Sequence, residues 1–236
     1  MASESPVMVI TGSSRGIGRG LAEQFLARGY RVAGCSRGPS TLEDPSYLHT
    51  LVDVGDESAV RIWVRALRST YGRIDILICN AGTAKAASLV TMTDGALLDE
   101  IVRSNVLGTF FVCREVARAM MVARSGRIVT VSSMAVGLHE EGTAAYAASK
   151  SAIVEMTKIL AKELAPLGIT ANVIAPSMFA SDAFAALGEE VQRRARERLT
   201  IQRTVTIEEI ANVVAFFAAP DSSVITGQVI HMGLVV

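Results

Sequence analysis

A serine, a tyrosine and a lysine in the middle of the chain have the types and the spacing needed to move a proton. Tyr146 and Lys150 are four residues apart, so they share one face if residues 145–165 form a helix. A positive charge beside a phenol favours the phenolate and lowers its pKa from about 10 toward the working pH. Ser133 precedes them by a short loop and can hydrogen-bond an oxygen on which charge builds. The competing interpretation is an ordinary aromatic residue at a helix start and a solvated lysine.

A glycine-rich turn near the amino terminus has the form of a phosphate-binding turn. The apolar run Val7–Ile10 predicts a strand, and apolar residues recur at helical spacing between Leu21 and Leu26. Glycines let the backbone approach a pyrophosphate, and the amide groups at a helix amino terminus attract negative charge. A tight turn without a ligand is the alternative. The turn comprises Thr11, Gly12, Ser13, Ser14, Arg15, Gly16, Ile17 and Gly18.

The end of the second predicted strand, Arg31–Cys35, indicates which dinucleotide such a site would take. A site for NAD places an acid there to bind the ribose hydroxyls, whereas this chain has Ser36 and Arg37. Together with Arg15, Arg37 would set two guanidinium groups where a 2′-phosphate sits. The sequence therefore favours NADPH/NADP+ over NADH. Two solvated arginines beside loops are the alternative.

Polar and small residues follow the third and fourth predicted strands as well. Asp53 and Val54 come at the end of Tyr47–Val52, where Asp53 would meet the adenine or cap the next helix. After the strand Ile74–Ile78 and Cys79, the residues Asn80, Ala81 and Gly82 suit close approach to a cofactor, although a simple turn also explains them. A long helical pattern then runs from about Asp94 to Ala123, interrupted mildly at Gly108. Asn105 near its middle is unfavourable in a helix, so it faces solvent or bonds a specific partner.

Composition favours one cytoplasmic enzyme-sized domain. The 236 residues are 50% hydrophobic, which is enough for a single large core, and 23 basic residues balance 23 acidic ones. This balance argues against nucleic-acid or membrane partners and favours a small molecule or copies of the chain itself. Cys35, Cys79 and Cys113 are expected to be reduced core residues, which indicates a reducing compartment. Strands alternate with helices throughout, so we expect an α/β fold with a doubly wound parallel sheet of about seven strands and helices on both faces.

Two segments near the predicted site allow more than one interpretation. Residues 134–143 contain His139, Glu140 and Glu141, which suggest a metal or an acid–base site, although a solvated charged loop is favoured and no metal is expected. Residues 177–203 begin apolar and become highly charged after Glu189. They form either a lid over the substrate or a surface helix pair with no moving role.

Taken together, the motifs resemble those of the short-chain dehydrogenase/reductase family over nearly the whole chain. The resemblance implies a single Rossmann-type domain of residues 1–236 with a lid at about 177–203. It implies that Tyr146 is the general acid and that Ser133 holds the substrate oxygen. Lys150 would lower the phenol pKa and bind the nicotinamide ribose. Asn105 would hold a water linked to Lys150. The nicotinamide amide would meet Pro176, Phe179 and Ser181.

Within the family, the phrases Gly126–Val129, Tyr146–Lys150, Gly168–Asn172 and Ile225–Gly227 are most similar to 3-oxoacyl-(acyl carrier protein) reductases. The resemblance implies NADPH-dependent reduction of a ketone to a secondary alcohol. The implied substrate is a 3-oxoacyl thioester or a polyketide-like molecule, either free or bound to a carrier protein. The alternatives are an alcohol or sugar dehydrogenase of the same family and a non-catalytic dinucleotide sensor. A homotetramer or homodimer is implied.

Some positions depart from the family pattern. Ser177 replaces a glycine after Pro176, and the segment after Gly227 lacks the usual Val-Asp-Gly-Gly. Leu167 stands where carrier-protein reductases often have arginine, which leaves Arg124 as the basic residue expected beside the mouth of the site.

Overall fold

The structure is a computed structural model that describes residues 5–83, 88–179, 184 and 188–236. Within these residues seven parallel strands form one sheet in the order β3-β2-β1-β4-β5-β6-β7. The predicted doubly wound parallel sheet is confirmed. The strands are β1 Val7–Thr11, β2 Arg31–Ser36, β3 Tyr47–Leu51, β4 Ile76–Cys79, β5 Gly126–Val131, β6 Ile169–Pro176 and β7 Val229–Met232.

Helices cover both faces of this sheet. The α2, α4 and α6 helices pack on one face, and α1 and α8 pack on the other. Among the described residues, no helix combines the length and the apolar composition that crossing a membrane requires. The helices are α1 Gly16–Ala27, α2 Glu57–Tyr71, α3 Gly95–Ile101, α4 Gly108–Ala123, α5 Ala135–Leu138, α6 Ala144–Leu164, α7 Glu189–Glu197 and α8 Ile207–Ala218.

The strand order reverses between β1 and β4, which are neighbours in the middle of the sheet. Chain connections leave β1 for one edge through β2 and β3, and leave β4 for the other edge through β5 to β7. In such sheets a crevice forms outside the carboxyl ends of the strands at the reversal. The glycine turn follows β1 and Asn80 follows β4, so both border this crevice.

Local sequence signals explain where several helices begin and end. Asp56 caps α2, because its Oδ1 accepts from the amides of Ser58 (2.9 Å) and Ala59 (3.0 Å). Gly72 ends that helix in the left-handed conformation. The capping box predicted for Thr206 and Glu209 is present at the start of α8.

The long helix predicted between Asp94 and Ala123 is divided near its middle. A π-helical segment, Val102–Leu107, separates α3 from α4, and Asn105 lies within it. The predicted weak point, Gly108, is instead the first residue of α4. A Cβ there would lie 2.6 Å from Val54 Cγ2, so the glycine allows close packing on the loop after β3. Single π turns inside helices are frequent at functional sites.

Candidate active site

Ser133 and Tyr146 meet at the carboxyl end of β5. Ser133 follows that buried strand by two residues, and Tyr146 lies in the first turn of α6. Their side chains are hydrogen-bonded to each other. The Ser133 Oγ also accepts from the Ala135 amide (3.2 Å), which fixes the hydroxyl at the start of α5. The fold therefore brings the Ser133 hydroxyl and the Tyr146 phenol together.

Lys150 lies one turn farther along α6 and is almost fully buried, with 4% exposure. Its Nζ donates to the Val131 carbonyl (2.8 Å) and lies 5.8 Å from the centroid of the Tyr146 ring. Burial lowers the pKa of Lys150 to about 8. Because Lys150 is buried and its Nζ donates to a backbone carbonyl, the interpretation of Lys150 as a solvated residue is wrong.

The pKa of Tyr146 shifts opposite to the sequence expectation. Burial raises the pKa of its phenol, and the hydrogen bond from Ser133 offsets part of the rise. The Lys150 Nζ donates to the Val131 carbonyl and lies over the face of the ring, and burial of the phenol has the largest effect on its pKa. The expectation of a lowered phenol pKa is therefore wrong for this arrangement. A phenol with a raised pKa keeps its proton at neutral pH, as a proton donor must.

Asn105 is fully buried and bonds specific partners. Its Nδ2 donates to the Thr83 carbonyl (3.1 Å) and to Ser149 Oγ (2.9 Å), and its Oδ1 accepts from the Thr83 amide (2.7 Å). Ser149 Oγ donates in turn to the Tyr146 carbonyl (2.7 Å). Asn105 thus joins the strand end after β4 to the first turn of α6. The π-helical segment explains how a residue unfavourable in a helix is accommodated there.

Thr83 and Ser149 are two members of this network that sequence reasoning missed. Both are buried. The available signal was a hydroxyl directly before Lys150 on a helix that buries that face. A buried serine requires a hydrogen-bond partner, so Ser149 could have been expected to bond a neighbouring element.

The glycine turn has the geometry of a phosphate cradle. Gly12 and Gly16 have positive φ angles of 72° and 57°. A Cβ on Gly18 would lie 2.2 Å from the Gly12 carbonyl oxygen, so only glycine fits. The first turn of α1 has no side-chain cap at Arg15 and no acidic residue, in contrast to α2 and α8. Its amide groups are therefore available for an anion, and the residues present fit a dinucleotide pyrophosphate.

Asn80 supports this turn from β4. Its Nδ2 donates to the carbonyls of Thr11 (3.1 Å) and Gly12 (3.3 Å). Thr11 Oγ1 accepts from the amides of Asn80 and Ala81, both at 3.0 Å. The amide protons of the Asn80 side chain are directed at the turn, so this side chain positions the turn, and a contact between Asn80 and the cofactor stays a prediction.

The residues predicted to select the cofactor lie along the same edge of the sheet. Arg15 follows β1 and Arg37 follows the neighbouring β2, and both are exposed; Arg37 Nη1 lies 4.0 Å from Glu100 Oε1. Asp53 is also exposed and accepts from the Gly55 amide (2.9 Å). Because Asp56 caps α2, the alternative in which Asp53 caps that helix is wrong. Val54 is buried against Gly108, so only its backbone remains available to a ligand.

The segment predicted to meet the nicotinamide begins at the end of β6. Pro176 is its last residue, and Phe179 pairs with Val205 through a single bridge. Ser181 lies outside the described residues. Ser177 is buried, and its Oγ has no hydrogen-bond partner among the described residues. A Cβ on Gly233 would lie 2.6 Å from that oxygen, so the glycine in the unusual tail makes room for the serine that replaces glycine.

The loop of residues 134–143 is held from two sides. It contains the short helix α5, which the sequence did not predict. A Cβ on Gly137 would lie 2.0 Å from Val236 Cγ1, so the tail packs directly on α5. Arg198 after α7 pairs with Glu140, with Nη1 2.8 Å from Oε1. Glu140 is therefore engaged by an arginine, which does not favour the metal interpretation of this loop.

Arg124 lies at the wrong edge for the role expected of it. It follows α4 and precedes β5, whereas Ser133 follows the other end of that strand. Its guanidinium donates to the Pro166 carbonyl (2.9 Å). The expectation that Arg124 lies beside the mouth of the site is wrong within one subunit, because the length of β5 separates them.

A glycine cradle at the sheet reversal, with a half-buried serine and tyrosine and a buried lysine beside it, defines a dinucleotide-dependent oxidoreductase. Comparison with known proteins agrees with this class. A family model described as enoyl-(acyl carrier protein) reductase matches residues 12–233. The chain belongs to the short-chain dehydrogenase/reductase family.

Relatives and solved structures extend the comparison. The chain is 34% identical to the 3-oxoacyl-[acyl-carrier-protein] reductase FabG of Salmonella typhimurium, with 98% of this chain and 97% of the relative covered. It is 35% identical to FabG of Escherichia coli, with the same coverage. The structure of ElxO with NADP bound superposes with a TM-score of 0.91 at 26% identity, covering 98% of this chain and 97% of ElxO. Aldohexose dehydrogenase from Thermoplasma acidophilum gives a TM-score of 0.90 at 26% identity, covering 98% and 94%.

Proposed function

We propose that this protein reduces the ketone of a 3-oxoacyl thioester to a secondary alcohol with NADPH. The observation that carries the proposal is the hydrogen-bonded pair of Ser133 and Tyr146, held beside buried Lys150 at the sheet edge that also carries the glycine turn. The similarity to the FabG reductases supports the substrate class. A non-catalytic dinucleotide sensor would have no use for this set of side chains.

The chain's own residues supply a proton and a hydrogen bond to the reacting oxygen. NADPH, when bound, supplies the hydride. Ser133 donates a hydrogen bond to the carbonyl oxygen, on which negative charge develops. Tyr146 then gives its proton to that oxygen, and because its pKa is not lowered from the ordinary phenol value, the proton is present at neutral pH before the transfer. After the transfer, the nearby Lys150 ammonium balances the negative charge left on the Tyr146 phenolate. Asn105 fixes the first turn of α6 through Ser149.

The cofactor would be held by four groups of residues. The cradle of Gly12, Ser14, Gly16, Ile17 and Gly18 suits the pyrophosphate, and Arg15, Ser36 and Arg37 suit a 2′-phosphate. Asp53, Val54, Ala81 and Gly82 border the adenine and ribose positions in the family's arrangement. Lys150 would bind the nicotinamide ribose, and Pro176, Phe179 and Ser181 would meet the nicotinamide amide.

A carbonyl suits this site better than the carbon–carbon double bond named in the family model's description. Ser133 and Tyr146 direct two hydroxyls at one position, which matches two hydrogen bonds to a single oxygen. In reduction of an enoyl group, the atoms that gain hydrogen are both carbon. The relatives named above are described as 3-oxoacyl reductases, in agreement with this choice.

Residues 177–203 would act as the lid over this substrate, and the carrier protein would dock without help from Arg124. The described part of the lid includes α7. It is joined to the loop of residues 134–143 by the ion pair of Arg198 and Glu140. Breaking this pair would release the loop when a long acyl chain enters.

Assembly into a homotetramer or homodimer would use α4 and α6, which expose the apolar residues Phe110 (47%) and Ile159 (58%).

A panel of substrates tests the function directly. NADPH oxidation is followed with 3-oxoacyl thioesters of pantetheine, of coenzyme A and of an acyl carrier protein, and in the reverse direction with NADP+ and aldohexoses. We expect turnover of the thioesters, fastest with the carrier protein. Turnover of sugars alone would replace the proposal with the alternative of a sugar dehydrogenase, and binding of NADPH without any turnover would favour the sensor.

A further inference from the structure

The edge strand β3 presents two polar side chains to the cofactor-binding edge. The Tyr47 hydroxyl donates to Ser13 Oγ (2.9 Å) in the glycine turn. His49 Nε2 lies 2.7 Å from Ser36 Oγ at the end of β2. Tyr47 and His49 are two residues apart on a strand, so they share a face. Each supports a different part of the edge that would hold the dinucleotide.

The absence of a side chain at Gly34 makes this arrangement possible. Gly34 is opposite His49 in the register of β2 and β3. A Cβ there would lie 2.1 Å from Ser13 Oγ and 2.6 Å from the Tyr47 hydroxyl oxygen. A side chain at Gly34 would therefore displace the contact between Tyr47 and Ser13.

The protons at Ser36 fix the role of His49. A serine hydroxyl has one proton and two lone pairs. Ser36 donates that proton to the Gly38 carbonyl (2.8 Å), so its oxygen can only accept from His49 Nε2–H. His49 therefore holds the oxygen of Ser36 while leaving its proton movable.

We propose that His49 is a positioning residue for the 2′-phosphate of NADP(H), acting through the hydroxyl of Ser36. The proposal rests on the proposed function, in which the phosphorylated dinucleotide is the cofactor. The Ser36 proton can turn from the Gly38 carbonyl to a phosphate oxygen, and the hydrogen bond from His49 keeps the Ser36 oxygen in place during this change. Hydrogen bonds to an ionised phosphate are stronger than those to a neutral carbonyl, so the exchange is favourable. NAD has a neutral hydroxyl instead of the phosphate at this position, so it gains much less from His49.

Tyr47 provides a matched contrast on the same strand. Its partner Ser13 belongs to the turn that would bind the pyrophosphate, which NADP and NAD share. Loss of the Tyr47 hydroxyl should therefore weaken both cofactors by the same factor. Loss of the His49 donor should weaken only the phosphorylated one. A contact that merely ties β2 to β3 would behave like Tyr47 and not like the proposed positioning residue.

Equilibrium titration calorimetry with NADP+, NAD+ and 2′,5′-ADP tests the proposal without turnover. We expect His49→Phe to weaken NADP+ and 2′,5′-ADP about 5- to 10-fold, the size of one lost hydrogen bond between neutral groups, and NAD+ less than about 2-fold. His49→Gln, whose amide nitrogen can donate to Ser36, should restore most of the affinity. When His49→Phe and Ser36→Ala are combined, the double variant should bind NADP+ no more weakly than the weaker-binding of the two single variants. Tyr47→Phe should lower the affinity for both dinucleotides equally.

Equal weakening of NADP+ and NAD+ by His49→Phe, or no weakening of either, would overturn this role for His49. A wild-type protein that binds NAD+ as tightly as NADP+ would instead overturn the proposed cofactor. β3 is the edge strand of the sheet and His49 is half-buried, so circular dichroism and thermal melts should show folded variants. If His49→Phe does not fold, the ratio of the affinities for NADP+ and NAD+ is measured in His49→Gln and Ser36→Ala. Loss of the NADP+ preference in Ser36→Ala, with retention in His49→Gln, supports the proposal. An unchanged preference in Ser36→Ala overturns it.

Discussion

At the scale of single residues, the active site depends on where protons and charges are held. The Tyr146 phenol is protonated at neutral pH and burial raises its pKa further, whereas burial lowers the pKa of Lys150 to about 8. The Ser133 hydroxyl also accepts a hydrogen bond from a backbone amide, that of Ala135, which fixes its position. The three side chains therefore have distinct physical roles that can be separated by substitution.

Replacing Tyr146 by phenylalanine removes the proton donor and little else. We expect kcat to fall by about 10³-fold or more, within the range for losing general acid catalysis and an oxyanion contact, while the Kd for NADPH changes less than about 3-fold. Steady-state kinetics with a keto-thioester and fluorescence titration of NADPH check this. Tyr71→Phe, at the end of α2 and away from the site, serves as the control. Turnover equal to that of the wild type would contradict the assignment of Tyr146 as the acid.

Replacing Lys150 by methionine should abolish activity and stabilise the fold at neutral pH. Lysine has a pKa of 10.5 when unfolded and of about 8 here, so the unfolded chain binds the extra proton between these values. The stability of the wild type therefore rises with pH from about 8 to 10.5, and the cost of burying the charge is fully present below 8. At pH 7 we expect the free energy of unfolding to rise by about 2 kcal/mol in Lys150→Met, somewhat less than the whole shift of pKa implies because the bond to Val131 is lost.

Urea unfolding of both proteins at pH 7 and at pH 10 measures this difference. The gain in Lys150→Met should shrink as the pH rises through the window and be small near pH 10.5. A variant that is less stable than the wild type at pH 7 would show that the bond from Lys150 to Val131 outweighs the burial of its charge.

At the scale of secondary-structure elements, turns and helix starts position the site. The glycine turn joins β1 to α1, Asn80 after β4 holds that turn, and the π-helical segment brings Asn105 to the start of α6. Each of these is a connection between a strand end and a helix. The catalytic residues are thus positioned by the ends of the strands and helices.

Gly18 is the residue of the cradle whose replacement is easiest to interpret. A Cβ there would lie 2.2 Å from a backbone oxygen, that of Gly12, so Gly18→Ala must shift the turn. We expect the affinity for NADPH to fall at least about 10-fold, because amide groups displaced from a phosphate lose charge-assisted hydrogen bonds. Gly95→Ala at the start of α3 is the control, since a Cβ there meets nothing within 4 Å. Calorimetric titration of both variants gives the comparison, and unchanged affinity in Gly18→Ala would show that the turn tolerates a methyl group.

At the scale of the whole molecule, the sheet brings the two halves of the chemistry together. The cofactor cradle comes from the strands on one side of the reversal and the proton-transfer residues from the strands on the other. The same assembly leaves apolar side chains exposed on α4 and α6, including Phe110, Val122 and Ile159. Exposed apolar patches of this kind mark surfaces that pair with another protein.

Charge on these two helices should separate the copies of the chain. We expect the double variant Phe110→Asp and Ile159→Asp to shift the protein to a smaller oligomer, because burying an unpaired carboxylate is strongly unfavourable. Light scattering after size-exclusion chromatography measures the mass. Ile62→Asp, on the exposed face of α2, is the control at an equally exposed apolar residue. An unchanged mass in the double variant would place the interface elsewhere.

The order of strands and helices, the glycine cradle and the Ser133, Tyr146 and Lys150 set were all determined by the sequence alone. Apolar runs, glycine spacing and helical periodicity act locally along the chain, so they can be recognised without coordinates. Helix caps such as that of Thr206 and Glu209 belong to the same class, since both partners lie within four residues.

Only the tertiary structure decided which way the Tyr146 pKa moves, which partners Asn80 and Asn105 bond, and which edge Arg124 occupies. The support that His49 gives to Ser36 also became visible only there. All of these depend on burial and on contacts between residues 13 to 69 positions apart in the sequence. Desolvation and hydrogen bonding act through space, and a sequence pattern records them only when both partners happen to be near neighbours in the chain.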